Sequence, residues 1–164
     1  MRWRFWRRPV HPKPGARRLL VPFSGGRLDS EVLAAALRIA RAEEAVFVPA
    51  YLIVVPLSHT MDAPLSSQVG VALPLLEAVE LAALDTRVAV DARLERGRTL
   101  RDALRRLWDA EPFDRILIPV TPDDRHGFTE REVAWILTHA PAETLALRPA
   151  SRGVPANGRL PVAV

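Results

Sequence analysis

The chain contains no cysteine. Disulfides and thiolate-held metals are therefore excluded, and the absence fits a reducing cytoplasm. No continuous apolar run approaches the roughly 18 residues needed to cross a bilayer. The longest, Ala45 to Pro56, contains two prolines and has the length of a strand. No acid occurs in residues 1–18, which carry Arg2, Arg4, Arg7, Arg8, Lys13, Arg17 and Arg18. No apolar stretch follows the first arginines, so this segment is not a secretory signal. No internal repeat is present. His59, His126 and His139 show no metal-ligand spacing, and His11 lies among the early prolines.

What is present suits one soluble domain. The chain has 164 residues, 49% of them hydrophobic and 26% charged, enough for a real core. The net charge of +4 hides an asymmetry: beyond residue 18 there are sixteen basic and nineteen acidic residues. The basic character belongs to the leading segment and the remainder is mildly acidic, so nucleic acid is not the expected partner. Residues 1–17 read as a basic, aromatic tail, broken by Pro9, Pro12, Pro14 and Gly15. Residues 18–149 read as the domain. Residues 150–164 read as a second tail, with Gly153, Pro155, Gly158 and Pro161.

Between the tails, short apolar runs alternate with helical patterns. Strands are expected at Leu19–Phe23, Val46–Val55, Arg87–Ala92, Arg115–Val120 and Thr144–Leu147. Helices are expected at Ser30–Arg41, Val69–Leu84, Thr99–Trp108 and Thr129–His139. Pro74 suits a first turn, so the second helix can start there. Asp29 or Ser30 can cap the first helix. Thr99 with Asp102, and Thr129 with Glu132, have the spacing of capping boxes. Trp108 and Trp135 fall on apolar helix faces and read as core.

The order βαβαβαβαβ implies a three-layer α/β/α fold with a five-stranded parallel sheet covered on both faces. Ligands in such sheets bind beyond the carboxyl ends of the strands, where strand order reverses. That rule selects Ser24–Asp29 after the first strand and Thr121–Gly127 after the fourth.

These residues resemble the universal stress protein family over about residues 17 to 149. The opening Arg18-Leu19-Leu20-Val21-Pro22, with its small polar turn and Ala/Leu-rich helix, is similar to the family's. So are Gly97 before the third helix and the fourth strand Asp114-Arg115-Ile116-Leu117-Ile118. The ending His139-Ala140-Pro141, then Leu145-Ala146-Leu147-Arg148-Pro149, also fits. The resemblance implies strand order 3-2-1-4-5 and a homodimer joined at the last strand, whose Thr144–Leu147 edge is free to pair. Some members bind ATP. These carry an aspartate in the first turn and a glycine-rich stretch after strand four that ends in Gly-Ser or Gly-Thr.

This sequence departs from that pattern. Ser24 stands at the aspartate position, Pro119 replaces the glycine ending strand four, and Glu130-Arg131 replace Gly-Ser. Residues 120–126 hold no glycine, and Asp123 and Asp124 place negative charge where phosphates are expected. The turn Ser24-Gly25-Gly26-Arg27-Leu28-Asp29-Ser30 also resembles the PP-loop ATP pyrophosphatase signature, with one residue inserted before Asp29. The candidate nucleotide- or anion-binding residues are Pro22, Ser24, Gly25, Gly26, Asp29 and Ser30, with Thr121 and Gly127. No catalytic residue and no metal ligand is assigned.

The expected function is a universal-stress-type module, cytoplasmic and non-catalytic, that binds a small ligand or partner without the usual ATP site. ATP or another adenine nucleotide is the cofactor class to test. The alternative is a nucleotide-binding or nucleotide-hydrolysing enzyme using the Ser24–Ser30 loop. The interleaved Arg, Trp and Phe residues of Arg2–Arg8 suit, in this order, a disordered leader or one packed on the domain, contact with an anionic membrane surface, and contact with nucleic acid by charge and stacking.

Overall fold

The structure is a computed structural model, and it describes residues 15–120 and 128–148. Both tails beyond these limits lie outside the described residues. Nine elements alternate: β1 (Arg18–Phe23), α1 (Ser30–Ala42), β2 (Val46–Val54), α2 (Ser66–Leu84), β3 (Arg93–Gly97), α3 (Leu100–Ala110), β4 (Arg115–Pro119), α4 (Glu130–His139) and β5 (Glu143–Leu147). The strands form one parallel sheet in the order β3-β2-β1-β4-β5. Strand order reverses between β1 and β4, so the switch point lies there.

Strand alternation divides the core between the two faces. Leu19, Val21 and Phe47 pack against Val32, Ala36 and Ala40 of α1 and Val79 and Ala83 of α2. Leu20, Val46, Val48 and Ile116 pack against Ala103, Leu104 and Leu107 of α3 and Ile136 of α4. Strands β1 and β2 are buried almost throughout. That explains their continuous apolar runs.

Three expectations are corrected. The third strand is Arg93–Gly97, not Arg87–Ala92. Arg87 has φ of +57° and belongs to a turn, and Val90 makes only an isolated bridge to Phe47. As an edge strand, β3 tolerates the charges of its sequence RLERG. Second, α2 starts at Ser66 and carries Pro74 inside it. The proline ring meets the carbonyl four residues back. That residue is Gly70, exposed and without a side chain. Third, α2 is long and apolar enough to cross a membrane by length and composition, with mean hydropathy 1.4. Its buried residues Ala72, Leu76, Val79 and Ala83 instead make it the crossover between β2 and β3.

Gly97 lies where β3 meets α3. A Cβ there would lie 2.3 Å from the Ala103 N and 2.8 Å from the Thr99 carbonyl oxygen. Only glycine fits this approach. Four charges close the opposite end of the sheet. Arg18 bonds Asp91 and Glu111 at 2.9 Å each, and Arg93 bonds Asp91 at 2.8 Å and Glu111 at 3.2 Å.

Candidate functional site

The first turn lies at the carboxyl end of central strand β1. Gly25 takes φ of +77°, a conformation that costs other residues about 1–2 kcal/mol. Gly26 has no such requirement, and a Cβ added to it would meet only Val71 Cγ1, at 3.9 Å. The turn therefore needs one glycine, not two.

Asp29 ends the turn and caps α1. Its Oδ1 accepts from the N–H of Glu31 at 2.7 Å and of Val32 at 3.3 Å. Its own carbonyl accepts from Leu33 N–H. The amino end of a helix attracts anions because its first N–H groups have no intrahelical partner. Here a carboxylate of the chain takes two of them. Ser30 is exposed at the first helical position. A phosphate entering this end would have to displace Asp29 or lie beside its charge.

Two prolines set the shape of the switch point. The Val46 N–H donates to the Arg17 carbonyl, so Arg17 faces β2 and, by alternation, Arg18, Leu20 and Pro22 face β4. The Val120 N–H donates to the Leu147 carbonyl, so Val120 faces β5 and Pro119 faces β1. Pairing between β1 and β4 covers only Leu19↔Arg115 and Leu20↔Ile116. To extend it, Pro22 and Pro119 would each have to donate an N–H they lack. The ladder stops there, while β1 pairs with β2 through Phe23 and β4 pairs with β5 through Pro119.

Two arginines brace the neighbouring wall. Arg96 donates to the carbonyls of Met61 at 3.2 Å and Ala63 at 2.6 Å. Arg98 donates to those of Val55, Pro56 and His59 at 3.3, 2.7 and 2.9 Å. They hold the connection from β2 to α2, which enters α2 through Leu65 at φ of +41°. In the same connection, hydrogen bonds from Thr60 and from its own backbone hold the Asp62 carboxyl below its usual range.

Of the candidate residues, Ser24, Gly25, Gly26, Asp29 and Ser30 share this turn, and Pro22 lies buried within β1 beneath it. Thr121 and Gly127, with Asp123 and Asp124, lie outside the described residues. Sequence reasoning missed Arg96 and Arg98, because the third strand was expected before them. Their alternate spacing around Gly97 was the available signal.

The capping box at Thr129 and Glu132 is complete, with both reciprocal bonds formed. At α3 the Thr99 hydroxyl accepts from Asp102 N–H, but the Asp102 carboxylate turns to the Arg98 N–H. Trp108 and Trp135 are half-buried rather than core. Their rings stack at 5.5 Å, His139 stacks on Trp135 at 5.0 Å, and Arg101 and Arg105 lie 5.4 and 5.2 Å from the Trp135 ring centre. Among the described residues, no group of three or more His, Asp or Glu is placed to hold a metal.

No family profile matches the chain, and no curated protein matches it. Solved structures do. A universal stress protein from Archaeoglobus fulgidus superposes with a TM-score of 0.61 at 10% identity, covering 80% of this chain and 93% of that one. A universal stress protein family member from Burkholderia pseudomallei gives 0.58 at 18% identity, covering 78% and 94%. A universal stress protein in complex with cAMP gives 0.56 at 16% identity, covering 81% and 98%. Strand order, helix placement and extent agree, and the chain has a universal stress protein-like fold.

Proposed function

We propose that this chain is a universal-stress-type binding protein that takes a small ligand at the β1–β4 switch point, performs no chemistry there, and does not hold ATP in the usual manner. One observation carries the reading. The Asp29 carboxylate occupies the Glu31 and Val32 amides at the amino end of α1, where a phosphate would otherwise be received. Two like charges a few ångströms apart repel by on the order of 1 kcal/mol even in water-like surroundings. A triphosphate meets that repulsion most strongly. A ligand with one negative charge meets it least. The fold neighbour in complex with cAMP makes a cyclic mononucleotide the first adenine ligand to test.

Calorimetric titration with ATP, ADP, AMP and cAMP tests this reading. ATP is expected to give no saturable heat, and micromolar ATP binding would overturn the proposal. The rival reading is nucleotide hydrolysis by the Ser24–Ser30 loop, favoured by Ser30 standing exposed beside the cap. It requires release of phosphate or pyrophosphate that Ser24→Ala and Asp29→Ala both abolish. Turnover no higher than buffer ends it.

Self-association through β5 belongs to the same proposal. Among the described residues this strand pairs only with β4, on one side, and its residues are at most half-buried. An edge with free N–H and carbonyl groups is a template for a second copy.

A further inference from the structure

Helix α2 presents a face that the described residues leave uncovered. Ala72, Leu76, Val79 and Ala83 are buried on one side. On the other, Val71, Leu81 and Leu84 are 43, 64 and 44% exposed. Gly70, Pro74 and Ala78 are exposed between them. Spacings of three and four residues place all six on one stripe, which also carries the exposed Glu77. Single apolar residues at a surface need no explanation, whereas a patch of neighbouring ones marks a contact.

The charges along this helix have one sign. Helix α2 contains Glu77 and Glu80 and no Lys or Arg, and Asp85 follows it. Burial first, and the Glu77 carboxylate second, push the Glu80 carboxyl above its ordinary value. A second copy of the same face would set these acids against themselves. An anionic lipid surface would meet them too.

One segment of the chain has the complementary chemistry. Trp3, Phe5 and Trp6 alternate with Arg2, Arg4, Arg7 and Arg8, with no acid among them. Each aromatic ring buries about 150–250 Å² when covered. The segment also starts from the right end of the sheet. Arg17, at the amino end of β1, accepts from Val46, and the next residue of β2, Phe47, is bridged to Val90 shortly after α2 ends. The start of β1 and the end of α2 thus lie at the same end of the sheet, on neighbouring strand positions. The fourteen residues before Gly15 can extend to about 46 Å. Helix α2 is only about 28 Å long. We infer that residues 2–8 dock on the outer face of α2 in the same chain, with rings on the stripe from Val71 to Leu84 and arginines beside Glu77 and Glu80.

The absence of cysteine allows a clean test in the full chain. Ala82→Cys, at the edge of the stripe, takes a single nitroxide. The indole N–H resonances of Trp3 and Trp6 are then expected to broaden beyond detection. They stay sharp when an isotope-labelled chain without nitroxide is mixed with a spin-labelled chain of natural isotopes. Adding Glu77→Lys and Leu81→Asp, both at exposed positions, restores the lost signals. Sharp indole resonances in the spin-labelled chain would overturn the inference. Broadening in the mixed sample would assign the stripe to a second copy instead. Broadening that appears only with phosphatidylglycerol vesicles would assign it to a lipid surface.

Discussion

The Asp29 Oδ1 lies 2.7 Å from the Glu31 amide nitrogen, so the first turn of α1 is closed by an anion of its own chain. The same carboxylate reaches Val32 at 3.3 Å. A cap of this kind contributes about 1 kcal/mol. Asp29→Ala should therefore lower the melting temperature by about 2–4 °C in thermal unfolding. An unchanged melting temperature would mean that the cap does not form.

Gly97 and Gly26 make opposite predictions. Gly97→Ala drives a Cβ into the α3 backbone, 2.3 Å from Ala103 N. The β3–α3 junction must shift, at a cost of about 3 kcal/mol. Gly26→Ala meets only Val71 Cγ1 at 3.9 Å and should stay within about 0.5 kcal/mol of the parent. Urea unfolding of both variants checks the pair.

Glu80 makes stability depend on pH. Burial and the Glu77 carboxylate raise its folded pKa above the ordinary glutamate value. The folded state then holds the proton over a window in which the unfolded state releases it, so stability falls as pH rises through that window. Glu80→Gln should stabilise the protein at pH 7, and the gain should vanish below about pH 4, where both states are protonated. Chemical unfolding at the two pH values measures it. A gain equal at both would assign the effect to packing.

Edge pairing through β5 has a direct variant. Val120 N–H reaches Leu147, so Leu147 faces β4 and Ala146 turns its backbone outward. Ala146→Pro removes an N–H that no described residue takes. Light scattering should show a dimer for the parent and a monomer of unchanged circular dichroism for the variant. A monomeric parent would reject the pairing.

The layered fold was legible because its carriers are local. Buried strands such as Leu19–Phe23 and the Ile116–Ile118 run read as continuous apolar stretches, and Thr129 with Glu132 announced its helix start. Strand β3 was not legible. Its charged sequence is permitted only by its edge position, a property of the sheet and not of the segment. The turn at Ser24–Ser30 was found, but not what fills it. Sequence allowed either Asp29 or Ser30 as the cap, and the hydrogen bonds select Asp29. The facing of Pro22 and Pro119 depends on strand alternation across two ladders, which no local pattern carries.

The central claim is that Asp29 keeps the amino end of α1 closed to a triphosphate. Backbone amide resonances of Gly25, Gly26, Glu31 and Val32, followed while ATP and magnesium are added, test it most directly. Glu31 and Val32 are expected to keep their positions at every ATP concentration. Saturable shifts of those two amides, at micromolar ATP, would contradict it.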